Sequence, residues 1–321
     1  MKKTLPLLLA LTFLTGSTTG CAVDDGRPEA DGLTIITTNF FLYDTARTLA
    51  RENDNVVMLI SPGAESHDYE LTLTDMALLE TCDLLVYVGG EGEDWVYDAL
   101  DTFAASGITI PTFCAMEAVE EKGTLIHAAE EHDHDHDHSE HADEHWEGID
   151  DHVWLSMPNA IAIYEGLCDT LLHTYETWSP AENDWAYTVT TWDEKYRALV
   201  AEAADPFLIV ADRFPYTYLT TEYGIDYIAA FSGCTSDTEP TLDVVDTLIT
   251  EVENRQSKTI LVTELSDRQT ARAIAAQVPE VTIEELHSCH NVTKEDFDSG
   301  MTYIDLLARN YDILEKILWK K

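Results

Sequence analysis

Basic residues are scarce in this chain. Lysine and arginine number 18 against 61 aspartates and glutamates, a formal net charge of −43 over 321 residues. A surface this anionic repels nucleic acid and anionic lipid headgroups and attracts cations. Nucleic-acid binding is thereby excluded. Other absences narrow the field further. No CxxC pair exists, which removes cysteine zinc knuckles. No HExxH stretch exists, so the usual signature of a zinc hydrolase is missing. The apolar run at 5–14 is too short to span a membrane as a stable helix.

That run has a different meaning. Lys2 and Lys3 precede it, small residues follow it, and Cys21 comes next. This is the charged, apolar and small-residue order of a secretory signal. Thr18-Thr19-Gly20-Cys21 resembles a bacterial lipobox, although Thr18 stands where leucine is usual. Cys21 is the expected lipidation site, and residues 22–32, polar with Gly and Pro, would form a flexible tether. The expected location is the outer face of the bacterial cell membrane, with attachment through lipid on Cys21. Five further cysteines remain, Cys82, Cys114, Cys168, Cys234 and Cys289. An odd number leaves at least one unpaired in a monomer, and Cys234–Cys289 is one pairing available to an exported protein.

Beyond residue 32 short apolar runs alternate with helix-like stretches. Strands are expected at 33–37, 56–60, 84–88 and 108–113, with helices at 40–51, 74–81 and 95–105. Continuous apolar strands joined by helical crossovers indicate a parallel sheet covered on both faces. Residues 120–151 interrupt the pattern with Glu, Asp and His and almost nothing apolar, so a disordered surface loop is expected there. A helix follows at 161–177. Ser179-Pro180 then reads as a helix start, because Trp185, Val189, Trp192, Tyr196, Leu199 and Ala203 recur every three or four residues. The second half repeats the first, with strands at 207–211, 225–230, 259–263 and 281–283 and a final helix. The expected fold is α/β: two Rossmann-like lobes joined by a long rigid linking helix, with a cleft between them. Its divisions are a signal segment 1–21, a tether 22–32, an N-terminal lobe 33–178, a linking helix 179–204 and a C-terminal lobe 205–321.

The twelve histidines are unevenly spread, and seven lie between His127 and His145. His132, His134, His136 and His138 alternate with aspartate, and His141 and His145 follow. Imidazole and carboxylate both bind Zn²⁺, so this run predicts loose, multi-site metal binding: an auxiliary collecting arm. The remaining candidates stand at strand ends, where open α/β sheets bind ligands. His67 follows the strand at 56–60, Asp212 the strand at 207–211, Glu264 the strand at 259–263, and His287 the strand at 281–283. His152 sits where the acidic loop rejoins the fold. Singly, each has a plainer reading as a surface or capping residue. His173 and His290 read as ordinary surface histidines.

The order of several motifs carries a resemblance. Ser66-His67-Asp68-Tyr69-Glu70, then the run Cys82 to Gly90, then an acidic His-rich insertion closed by Asp151-His152-Val153-Trp154, is similar to the zinc/manganese ABC-transporter substrate-binding lipoproteins. The likeness runs from about residue 33 to the end. It implies a bilobal fold with a rigid linking helix and a metal between the lobes, held by three histidines and a carboxylate or water. It implies an ABC permease as partner and a monomeric receptor. In its terms His67, His152 and His287 are the nitrogen ligands, with His290 as the alternative to His287. The family's third ligand falls on Ala211, so Asp212 would have to substitute for it. Three imidazoles and one carboxylate favour Zn²⁺ over Mn²⁺ as the transported ion.

The expected function is therefore a non-enzymatic receptor that captures Zn²⁺ outside the cell for an ABC importer. A Mn²⁺ receptor of the same family is the nearest alternative. A surface zinc-scavenging or adhesion lipoprotein fits the anchor and the acidity equally well. A zinc hydrolase would need a general base, for which only Glu264 or Glu70 is placed.

Overall fold

A computed structural model describes residues 32–65, 69–127, 146, 148–234 and 240–319. The N-terminal half opens with β1 (Thr34–Thr37), α1 (Phe40–Leu49), β2 (Asn55–Met58) and α2 (Leu73–Leu79). Then come β3 (Leu84–Tyr87), α3 (Asp94–Ala105), β4 (Thr112–Cys114) and α4 (Ala115–Lys122). The four strands pair in parallel in the order β2-β1-β3-β4. Every residue of β3, sequence LLVY, is buried, as a central parallel strand requires. Asn39 caps α1 by accepting the Leu42 N–H, and Thr72 with Asp75 closes a capping box on α2.

Two long helices follow, α5 (Met157–Thr174) and α6 (Trp185–Glu202). The second half contains β5 (Phe207–Val210), α7 (Thr217–Tyr223), β6 (Asp226–Ala229), α8 (Leu242–Arg255), β7 (Thr259–Val262), α9 (Gln269–Ala275) and β8 (Thr282–Glu285). It closes with α10 (Lys294–Asp298) and α11 (Tyr303–Leu318). Its strands are again parallel, in the order β6-β5-β7-β8. The two sheets therefore share one topology, and β2 occupies the place in the first that β6 occupies in the second.

A single apolar core runs from the first sheet through α1, α5, α6 and α11 to the inner side of the second sheet. At its centre Phe41 stacks on Trp154 at 5.9 Å and meets Tyr303 edge-on at 4.9 Å, while Trp185 stacks on Tyr303 at 5.9 Å. The outer side of the second sheet packs separately, around Ile209, Leu248, Ile260 and Ile274. A core shared by both lobes resists wide hinge opening, because packed interiors transmit strain rather than deform. Among the described residues no helix is long and apolar enough to cross a membrane.

Three boundaries differ from the sequence reading. The linking helix begins at Trp185, not at Ser179. Residues 179–184 instead tie down the neighbouring helix: the Ala181 N–H donates to Leu49 O at 3.0 Å, and the Asn183 amide donates to Thr48 O at 3.4 Å. The fourth strand is Thr112–Cys114 rather than 108–113. The acidic segment is ordered at both feet. Its first residues complete α4, His127 bridges Ile149, and the Asp150 N–H donates to Ile126 O at 3.0 Å. Tyr218 of α7 clamps both feet, accepting from the Ile126 N–H at 3.0 Å and donating to Asp150 O at 2.9 Å.

Candidate metal site between the lobes

The site is built from loops at the carboxyl ends of the strands. The feet of the acidic insertion deliver Asp150, Asp151 and His152 to it. Their ligating atoms all lie within 4.8 Å of one another. The His152 ring is buried, and its Nδ1 faces Asp150 Oδ1 at 3.0 Å and Asp151 Oδ1 at 2.9 Å. Metal-bound histidines commonly have their second nitrogen held by a carboxylate in this way, which fixes the tautomer and orients the ring. With Nδ1 so held, a metal at this site would be met by Nε2. Burial disfavours a charge on this ring. The negative charge of Asp151, with the hydrogen bonds to Asp150 and Asp151, outweighs it, so His152 titrates well above the ordinary histidine range.

Opposite His152 stands His290, with ring centroids 5.5 Å apart and planes near perpendicular. Trp154 packs beneath both rings, 5.4 Å from His152 and 5.2 Å from His290. The loop after β8 that carries His290 is tied to both lobes. Its Ser288 carbonyl accepts the Trp154 indole N–H at 2.7 Å, and its His290 carbonyl accepts the Phe40 N–H at 2.8 Å. Tyr216 donates to Leu286 O, and Glu264 accepts from the Ser288 backbone N–H at 2.7 Å and from its hydroxyl. Cys289 takes φ +62°, a left-handed conformation that non-glycine residues rarely adopt and that clusters at functional sites.

The loop after β2 is drawn to the same place. The Asn291 amide donates to Ser61 O at 3.0 Å and Ala64 O at 2.8 Å, and Arg213 pairs with Glu65 at 2.8 Å across the cleft. A small cavity of about 30 Å³ lies there, lined among others by Glu65, Arg213, Cys234, Glu264, Ser288 and His290. That volume holds an ion or a water, whereas pockets for organic ligands measure ~300–1,000 Å³. A larger cavity of about 640 Å³ lies at the opposite, amino-terminal end of β5 and β7, between Phe207, Arg255, Lys258 and Trp319. Strand carboxyl ends, not amino ends, form binding crevices in this class of sheet.

The residues expected from sequence fare differently. His152 stands at the centre of the site. Asp212 is directed elsewhere: its Oδ1 accepts the Arg213 N–H at 2.9 Å, and its Oδ2 accepts from the Thr263 N–H at 3.3 Å and hydroxyl at 3.2 Å. It fastens β5 to β7, and Arg213 pairs with Glu65 rather than with Asp212. His287 is also committed. Its Nδ1 accepts the Cys289 N–H at 2.8 Å, and its own peptide group is bracketed by Asn310. The structure brings His290, not His287, to His152. Cys234 and Cys289 are both free thiols, so the bridge between them does not form. Instead the Cys234 thiol lies beside the His152 side chain. Burial holds that thiol above its usual range, with the His152 imidazole pulling the other way. His67, the histidines His132, His134, His136, His138, His141 and His145, and the lipidation candidate Cys21 lie outside the described residues. Sequence reasoning had His290 only as the alternative to His287 and Cys234 only as half of a disulfide, and the further signal was position alone, since each follows a strand end by five residues.

Two like-wound parallel sheets on a shared helical core, with ligating side chains on strand-end loops that meet in one cleft, define the two-lobed solute-binding class. The chain belongs to the family described as zinc-uptake complex component A, periplasmic, which matches residues 35–317. It is 28% identical over 297 residues to the zinc-binding lipoprotein AdcA of Streptococcus pneumoniae strain R6, covering 90% of this chain and 57% of that protein. The chain thus spans little more than half the length of that relative. It is 26% identical over 320 residues to the high-affinity zinc uptake system protein ZnuA of Bacillus subtilis strain 168, covering 98% of this chain and 97% of that one. The fold matches the Zn(II)-bound ZnuA-like domain of S. pneumoniae AdcA with a TM-score of 0.69 at 23% identity, over 89% of this chain and 99% of that domain. It also matches the laminin-binding protein Lmb of Streptococcus agalactiae, described as both adhesin and metal transporter. That match has a TM-score of 0.70 at 19% identity, over 90% of this chain and all of that one.

Proposed function

We propose that this protein captures one zinc ion in its interlobe cleft, outside the cytoplasm, and passes it to the permease of an ABC importer. The observation that carries the reading is the pair His152 and His290, 5.5 Å apart, with the first ring oriented by two carboxylates. Nitrogen donors suit zinc better than manganese, which prefers oxygen-rich sites. His67 joins the ligand set on its sequence motif and on the Asn291 and Arg213 contacts that hold the preceding loop at the cleft. Asp212 and His287 leave the ligand set, because both carboxylate oxygens of Asp212 and the Nδ1 of His287 are used within the C-terminal lobe. The small cavity supports an ion receptor over an enzyme of organic substrates. The feet of the acidic insertion are clamped at His127, Ile149 and Asp150, next to His152, which supports reading the His-rich run at 132–145 as an arm that would collect ions for this pocket. The lipid anchor on Cys21, the extracytoplasmic location and the monomeric state rest on the amino-terminal sequence and the family.

Calorimetric titration of the metal-free protein with Zn²⁺ and Mn²⁺ tests the reading. One tight zinc event should survive deletion of residues 128–145 and disappear in His152→Ala. If all binding vanishes with the deletion, the cleft holds no metal and a scavenging or storage role replaces the receptor.

A further inference from the structure

We propose that Cys234 supplies a thiolate ligand to the cleft metal, in place of the donor that the end of β5 lacks. The inference rests on the receptor reading above and concerns its ligand set. By the resemblance, the family's third ligand position at the end of β5 falls on Ala211, which has no donor atom, and the Asp212 carboxylate is spent on Thr263 and the Arg213 N–H. Glu264, the other nearby carboxylate, accepts two hydrogen bonds from Ser288. The vacancy is therefore not filled from β5 or β7.

The loop after β6 fills it. The Phe214 N–H donates to Gly233 O at 3.0 Å, which pins this loop over the end of β5 immediately before the cysteine. Cys234 then meets the His152 imidazole and lines the same small cavity as His290. The shared topology gives an independent reason. β2 and β6 are equivalent strands, the loop after β2 carries His67, and the loop after β6 carries Cys234. Thiolate with imidazoles is a zinc donor set, and it excludes the oxygen-preferring ions more firmly than a carboxylate would. The step is a ligand exchange without redox change. The S–H proton leaves to solvent, the sulfur lone pair forms the S–Zn bond, and the ion loses a water.

Cobalt substitution reads this directly. The full chain with one equivalent of Co²⁺ should show a thiolate-to-cobalt charge-transfer band in the near ultraviolet. Cys234→Ser should abolish that band, keep one bound ion, and weaken zinc binding by roughly tenfold to a thousandfold. X-ray absorption at the zinc edge of the unmutated protein needs no folded variant. It should find a sulfur neighbour at about 2.3 Å beside nitrogens at about 2.0 Å. An ion that binds, is lost in His152→Ala, and shows only nitrogen and oxygen neighbours overturns the thiolate and keeps the receptor. An ion unaffected by His152→Ala overturns both.

Discussion

The two lobes have the same strand order and different chemistry at the strand ends. In the N-terminal lobe the turn after β3 buries Glu93, whose Oε2 accepts the Val88 N–H at 2.7 Å and the Gly89 N–H at 3.0 Å. Burial, with the charge of Asp151 behind it, pushes this carboxyl up to about 7, although hydrogen bonds from Thr38, Gly89 and Val88 oppose the rise. In the C-terminal lobe the turn after β7 buries Glu264, which holds Ser288 and so fixes the loop bearing His290. One scaffold thus uses a buried glutamate twice: once to shape its own loop beside the site, and once to position a ligand loop from the neighbouring strand. The comparison teaches that topology sets where ligands can stand, while single hydrogen bonds decide which residues stand there.

The comparison breaks most readily at the ligands. A structural zinc site is worth ~10–16 kcal/mol over four ligands, so one ligand accounts for ~3 kcal/mol, or roughly a hundred- to a thousandfold in affinity. His152→Ala and His290→Ala should each weaken zinc binding by that factor in competition titrations, whereas His287→Ala should leave it within about threefold. Loss of affinity in His287→Ala with an intact His290→Ala would restore the ligand assignment read from sequence alone.

Glu93 comes next. Its folded pKa lies above its ordinary value of 4.5. The folded state therefore holds the proton more tightly, and the stability this adds is complete below about pH 4.5 and lost as pH rises through about 7. A rise of that size corresponds to ~3 kcal/mol. Glu93→Gln should flatten the fall in unfolding free energy across that window, measured by denaturant titration. An unchanged pH profile would show that the carboxyl is not held protonated.

Orientation of the ligand ring ranks third. Asp150→Asn keeps the size of the side chain and removes its charge, and loss of a carboxylate behind a metal-binding histidine costs roughly 10–100-fold in affinity. Zinc binding should also weaken as pH falls, because a proton competes for an imidazole whose pKa stands above the ordinary range. Asp150→Asn should move that acid limb to lower pH, which a purely structural role would not do.

The cross-cleft ion pair should matter least. Arg213 and Glu65 are partly exposed, so Arg213→Ala should change unfolding free energy by only ~0.2–1 kcal/mol in thermal or chemical denaturation. A larger loss would mean that this pair, rather than the shared aromatic core, joins the lobes.

Much of the fold was legible in the sequence, for physical reasons. Parallel strands buried throughout, such as LLVY, or at all but the first residue, such as FLIV, announce themselves as unbroken apolar runs, and Val189, Tyr196 and Leu199 mark the buried stripe of α6. The start of that helix was misread because Ser179-Pro180 looks like a cap. In the fold the segment is committed to α1 instead, and nothing local announces that tie. His152 was legible because the acidic segment ends at it. That His290 rather than His287 faces His152 was not legible, since residues three apart in a loop differ only in which hydrogen bonds their neighbours make. The Cys289 N–H engages one ring, and the φ of Cys289 marks the sharp turn before the other. Cys234 was hidden for the same reason, as an odd cysteine invites a disulfide when its neighbours in space are unknown.

Anomalous diffraction at the zinc edge, from crystals grown with one equivalent of zinc, tests the central claim most directly. A single strong peak between His152 and His290 is the expected result. Peaks confined to the His-rich segment, or bound at His287 and Asp212, would contradict it.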